Sequence, residues 1–176
     1  MCRSIAIGKM KKIFSFDAET NGLWGQAFSI AAVLQEEDGS KIEFLGRCPI
    51  QEPINEWVAE NVLPQMEGIL ENFSSYEELL AAFMAFYLMN KNGADIIVHM
   101  GLPVEARLFL DAHSMGIIDD WDAPYPLIDI SAFPEIGTSV DSYNDRNMVE
   151  IAYTGSTHNP LYDSYAALAA YERLTK

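Results

Sequence analysis

The sequence predicts an α/β domain built on a mixed β-sheet, and three observations carry that expectation. The first 48 residues hold three strand-like runs separated by turn signals, with no helical period between them. From residue 74 onward, helix-period stretches alternate with short apolar runs of strand length. An alanine-rich amphipathic stretch then closes the chain. The resulting order is β-β-β-α-β-α-β-α.

Each element has a local cause. Ile13-Phe14-Ser15-Phe16 is a β-type run that delivers Asp17 and Glu19 and stops at Gly22. Ala27–Gln35 follows as a second strand, with Phe28, Ile30, Ala32 and Leu34 alternating against Ser29 and Ala31. Glu37-Asp38-Gly39-Ser40 is a hairpin turn, and Ile42–Cys48 returns as a third strand. Pro49, Pro53 and Pro64 bracket a loop and a short helix around Asn55–Val62. Ser74-Ser75 with Glu77 and Glu78 reads as a capped helix start, and that helix runs to about Asn90, ending before Gly93. Asp95-Ile96-Ile97-Val98-His99 is nearly all apolar, as a strand covered on both faces should be. Pro103 suits the first turn of a helix ending near Gly116, and Pro126–Ile130 is a fifth strand. Residues 134–157 show no clear period and read as a long loop with at most a helical piece. The last helix spans about Leu161–Leu174.

Length and composition bound the function. A chain of 176 residues, 49% hydrophobic and 21% charged, fits a single globular domain, and the densest apolar stretch, Leu79 to Met89, is too short to span a bilayer. Residues 1–12, with Arg3, Lys9, Lys11 and Lys12, lack the apolar region of a signal peptide and read as a poorly ordered N-terminal leader ahead of a domain at 13–176. Cys2 and Cys48 form no metal pattern, so a reducing, cytoplasmic setting is the simplest expectation. Net charge is −15. Four of the eleven basic residues fall in the leader, leaving seven against 26 acidic ones in the body. Proteins that hold long nucleic acid present a basic face, so a polyanionic ligand here should be short, or held locally through metal ions and backbone amides.

The chemistry concentrates in three places. Asp17 and Glu19, two positions apart on a strand, share a face. Two such carboxylates stay ionised together only with positive charge between them, which a hard divalent cation supplies; the alternative is an acidic, solvated turn. Val98-His99-Met100-Gly101-Leu102-Pro103-Val104-Glu105 is a strand end followed by a helix carrying Glu105, and His158-Asn159-Pro160-Leu161-Tyr162-Asp163-Ser164 places a loop histidine five residues before a helical aspartate.

Together these stretches resemble the motifs of the DEDD-type 3′–5′ exonucleases of the DnaQ-like family, within the ribonuclease H-like superfamily. Asp17, Glu19, Thr20, Gly22 and Leu23 fill an Asp-x-Glu-Thr-x-Gly-Leu motif; His158 and Asp163 keep the spacing of His-x-Ala-x-x-Asp-Ala, with Pro160 and Ser164 in place of two alanines. The histidine marks the DEDDh subclass. The middle motif departs: His99 is present, Met100 replaces an asparagine, and Glu105 takes the aspartate's place with one extra loop residue. Asp95 and Asp111 compete with Glu105, but Asp95 lies at the wrong end of its strand and Asp111 about one and a half turns further along its helix.

The resemblance implies a ribonuclease H-like three-layer fold and a two-metal phosphodiester hydrolase using Mg²⁺ or Mn²⁺. Asp17 would bridge two ions, Glu19 and Asp163 would complete the site of the attacking water, and Glu105 would assist at the second ion. His158 would be general base. Thr20, Asn21, Leu23 and His99 are the substrate-facing candidates, although His99 before a turn is also a residue that a backbone partner would satisfy. The implied substrate is short RNA or single-stranded DNA, with no membrane partner. Two rivals stand beside it: a non-catalytic nucleotide- or protein-binding module, and a phosphodiesterase limited to dinucleotides. Some members of the family dimerise, so a homodimer is open, though no surface in the sequence argues for one.

Overall fold

The computed structural model describes residues 9–176. Among these, strands β1 (Ile13–Thr20), β2 (Ala27–Gln35), β3 (Lys41–Arg47), β4 (Asp95–Val98) and β5 (Ile128–Asp129) form one sheet in the order β3-β2-β1-β4-β5. β1, β2 and β3 pair antiparallel as a meander, whereas β1, β4 and β5 run parallel, so the sheet is mixed. The helices are α1 (Glu56–Asn61), α2 (Tyr76–Asn90), α3 (Val104–Ser114), α4 (Val140–Arg146) and α5 (Pro160–Thr175), with 3-10 turns at Leu63–Met66 and Ile130–Ala132.

The two faces of β1 sort the rest of the chain. Phe14, Phe16 and Ala18 point into a core shared with Leu79, Leu80 and Phe83 of α2 and Leu108 and Phe109 of α3. Ile13 faces the other way, into a core with Ala31 and Val33 of β2 and the Ala166, Ala167 and Ala170 stripe of α5. Asp17 and Glu19 continue that second face, so the carboxylates point toward α5.

Both faces of β2 are covered, and all nine of its residues are buried. The small side chains of Ser29 and Ala31 let α5 lie close, and Ser164 Oγ donates to the Ala31 carbonyl at 3.3 Å. α2 begins as its sequence predicts: Ser75 Oγ accepts from Glu78 N, and the Glu78 carboxylate accepts from Ser74 N and Oγ.

The stretch 134–157, expected as a long loop with at most a helical piece, contains the short helix α4. Ser139 caps it, accepting from Ser142 N at 3.3 Å, and Val140, Tyr143 and Asn144 are buried against α5. Residues 1–8 of the expected leader lie outside the described residues. Lys9–Lys12 run alongside the β2–β3 hairpin, where Met10 N donates to the Glu37 carbonyl at 3.0 Å. No helix among the described residues is long and apolar enough to cross a membrane.

Candidate metal and active site

β4 ends at Val98 while β1 continues to Thr20. This leaves the last residues of β1 without a neighbour on the β4 side, and a cavity of about 350 Å³ opens there, lined by residues of β1, the β4–α3 loop, α4 and the start of α5. It lies outside the carboxyl ends of two parallel strands, the usual ligand position in α/β sheets.

Asp17, Glu19 and Asp163 converge in this cavity, with one ligand oxygen from each lying within 4.8 Å of the others. β1 supplies the first two on a single face, and the first turn of α5 supplies the third. Asn159 fixes that turn as N-cap, accepting from Leu161 N and Tyr162 N at 3.1 and 3.3 Å.

Glu105 arrives from the opposite layer. It is buried in the first turn of α3, and its Oε1 accepts from Ala18 N at 3.0 Å, taking the backbone donor that β4 no longer reaches. The competitors are accounted for elsewhere. Asp95 meets Tyr171 and Lys11 at the far end of β4, and Asp111 accepts from Tyr76 Oη at 2.7 Å and pairs with Arg107.

The path from β4 to Glu105 is pinned by Asp129 at the end of β5. Its Oδ1 accepts from Met100 N and Ser131 N and its Oδ2 from Gly101 N, all at 3.0 Å. Glycine is required at 101, because a Cβ there would fall 2.4 Å from the Val98 side chain.

Crowding these carboxylates shifts their protonation. Burial, then Asp163, Glu105 and Glu19 in turn, raise the Asp17 carboxyl well above the ordinary range. Burial followed by Asp163 and Glu105 pushes Glu19 up to about 9. Burial pushes Glu105 up to about 8 against the Ala18 hydrogen bond, and Asp163 up to about 7 against a bond from His158 N. Among the described residues no lysine or arginine lines the cavity to offset this charge. An all-oxygen donor set of clustered acids without a protein cation fits a hard divalent metal ion.

His158 stands at the cavity edge. Its N–H donates to Asp163 Oδ2 at 2.8 Å, its Nδ1 lies 3.9 Å from Glu19 Oε1, and burial lowers its pKa from the usual value. Burial therefore favours the neutral form of a ring that stands adjacent to the carboxylates.

No family model matches the chain, and no curated protein matches it by sequence. Among solved structures, it aligns with Exonuclease X in complex with 5′ overhanging duplex DNA. The TM-score is 0.58 at 17% identity, over 93% of this chain and 90% of that one.

The fold is ribonuclease H-like.

On this ribonuclease H-like frame the other expected residues divide. His99 lines the cavity, but its Nε2 is bonded to the Gly137 carbonyl at 2.9 Å. Thr20, Asn21 and Leu23 do not line it. Leu23 is exposed in the turn after β1, and both ends of the Asn21 amide engage the backbone, Nδ2 donating to Pro53 O and Oδ1 accepting from Asn55 N.

Sequence reasoning missed the α4 wall. Asp141, in its first turn, lines the cavity and accepts from Thr157 Oγ1 at 2.6 Å and Tyr162 Oη at 3.3 Å. The signal was present in Ser139 as an N-cap followed by an acid, but α4 spans only seven residues, too few to show a helical period.

Proposed function

We propose that this chain is a metal-dependent 3′–5′ exonuclease of the DEDDh type, releasing nucleoside monophosphates from short RNA or single-stranded DNA. The observation that carries the reading is the convergence of Asp17, Glu19 and Asp163 within 4.8 Å, with His158 Nδ1 3.9 Å from Glu19, on a ribonuclease H-like sheet. That a solved structure of the same fold is an exonuclease bound to DNA supports a nucleic-acid substrate.

Asp17, Glu19 and Asp163 would hold one Mg²⁺ or Mn²⁺ ion, with Asp17 and Glu105 serving a second. Ions held by these carboxylates would supply an activated water and charge relief for the phosphoryl group and the departing 3′-oxygen. His158 accepts the proton of the attacking water on its imidazole, and the lowered pKa keeps the ring in the accepting form at neutral pH. The bond from His158 N to Asp163 ties base and carboxylate into one unit.

A second reading, a phosphodiesterase limited to dinucleotides, is favoured by one observation: no basic side chain lines the cavity among the described residues. Longer backbones gain nothing there from ion pairing. Oligonucleotides labelled at the 3′ or 5′ end, two to twenty nucleotides long, test both readings. Mononucleotide release from 3′ ends, dependent on Mg²⁺ or Mn²⁺, is expected, and absence of hydrolysis with either ion by correctly folded protein sinks the enzyme reading. A rate confined to two-nucleotide substrates selects the second.

A further inference from the structure

The imidazole of His158 is poised by a contact outside the carboxylate cluster. Among the described residues no hydrogen bond holds the ring; its nearest acidic oxygen, on Glu19, is 3.9 Å away. The backbone has φ of +72°, a region that non-glycine residues seldom occupy unless their surroundings impose it. What meets the ring is the Trp57 indole, with centroids 5.3 Å apart and planes at 89°.

Trp57 is itself held by residues singled out in the sequence. Asn21, in the turn after β1, accepts from Asn55 N at 2.8 Å and donates to Pro53 O at 3.0 Å. Asn55 in turn caps α1, its Oδ1 accepting from Val58 N at 3.3 Å. Trp57 lies in the first turn of that helix. Beyond it, Gln65 Oε1 accepts from Ser156 Oγ at 2.6 Å, two residues before His158. The segment 53–66 thus grips the histidine loop at two points, the ring through Trp57 and the backbone approach through Ser156.

We propose that Trp57 is a positioning residue for His158, set by the Asn21–Asn55 clamp, and that this contact holds the imidazole toward the carboxylates. The inference rests on His158 being the general base. It gives Asn21 a task other than touching substrate. An edge-on aromatic pair biases a side chain by roughly two- to tenfold between orientations, and misplacing a catalytic group multiplies such losses in rate.

The test combines kinetics with a measurement that needs no turnover. The chain has three histidines, so ¹³C-labelled histidine ring signals are few enough to assign. Trp57→Ala is expected to move the His158 ring signal by removing the indole ring current, lower kcat about tenfold and leave KM within about twofold. Trp57→Phe should restore most of kcat, and Asn21→Ala, which keeps the indole but frees α1, should shift the same signal and lower kcat. Three results overturn the proposal: raised KM with unchanged kcat in Trp57→Ala, which marks a substrate contact; an unmoved His158 signal in that variant; or an unmoved signal in Asn21→Ala. If the wild-type protein hydrolyses no oligonucleotide, the exonuclease reading falls, and the His158 signal in Asn21→Ala, where the indole is retained, decides whether the clamp sets the Trp57–His158 contact.

Discussion

Burial, then the neighbouring Asp163, Glu105 and Glu19 carboxylates, all raise the Asp17 carboxyl. Removing its charge acts in opposite directions on activity and fold. Asp17→Asn should abolish turnover by deleting a ligand, yet stabilise the metal-free protein by about 0.5–2 kcal/mol, the size of gain a single stabilising substitution commonly gives. Urea denaturation in EDTA checks the second half, and an unchanged or lower midpoint would contradict it. His158→Ala touches the other side of the chemistry. It should lower kcat by roughly 10²–10⁴ while metal affinity stays within a few-fold, because the proposed ligands are all carboxylates. Calorimetric titration with Mn²⁺ separates loss of base from loss of metal.

At the scale of elements, the site depends on how β4 hands the chain to α3. Asp129 satisfies two backbone donors of that connection and one at Ser131, so Asp129→Ala strands groups that helix and sheet do not reach. A loss of about 1–3 kcal/mol is expected in chemical denaturation, with lower activity because the Glu105 turn loses its anchor. A neutral result would mean that water replaces those bonds.

This connection also shows what the sequence could and could not convey. β1, the meander and the capped α2 were legible because their periods and turn residues are local. So was the pairing of His158 with Asp163, a fixed spacing on one helix start. The burial of both faces of β2 was not, because it depends on the alanines of a helix more than a hundred residues away. Nor was the task of Asn21, whose partners Pro53 and Asn55 come close only once α1 docks beside the β1–β2 turn. Glu105 stood between: its place on α3 followed from Pro103 and the apolar turn after it, whereas its bond to Ala18 required knowing that β4 stops short.

For the whole molecule, the clustered acids link stability, pH and metal. A carboxyl whose folded pKa is raised binds more protons folded than unfolded between the ordinary values, 3.8 for aspartate and 4.5 for glutamate, and its folded value. In that interval stability falls as pH rises. With Asp163 near 7, Glu105 near 8 and Glu19 near 9, metal-free protein should lose stability progressively from about pH 4 to pH 9. Metal binding runs the other way. The ion needs ionised ligands, so its affinity, and the stabilisation it adds to the folded state, should grow across pH 6–9. Thermal melts in EDTA and in excess Mn²⁺ at pH 6, 7.5 and 9 measure both slopes. The expected outcome is a gap between the two curves that widens with pH, accompanied by proton release on titrating Mn²⁺ at pH 7. A gap of constant width would mean that these carboxylates do not share an ion, and Asp17 and Glu19 would then be an acidic strand end rather than part of a metal site.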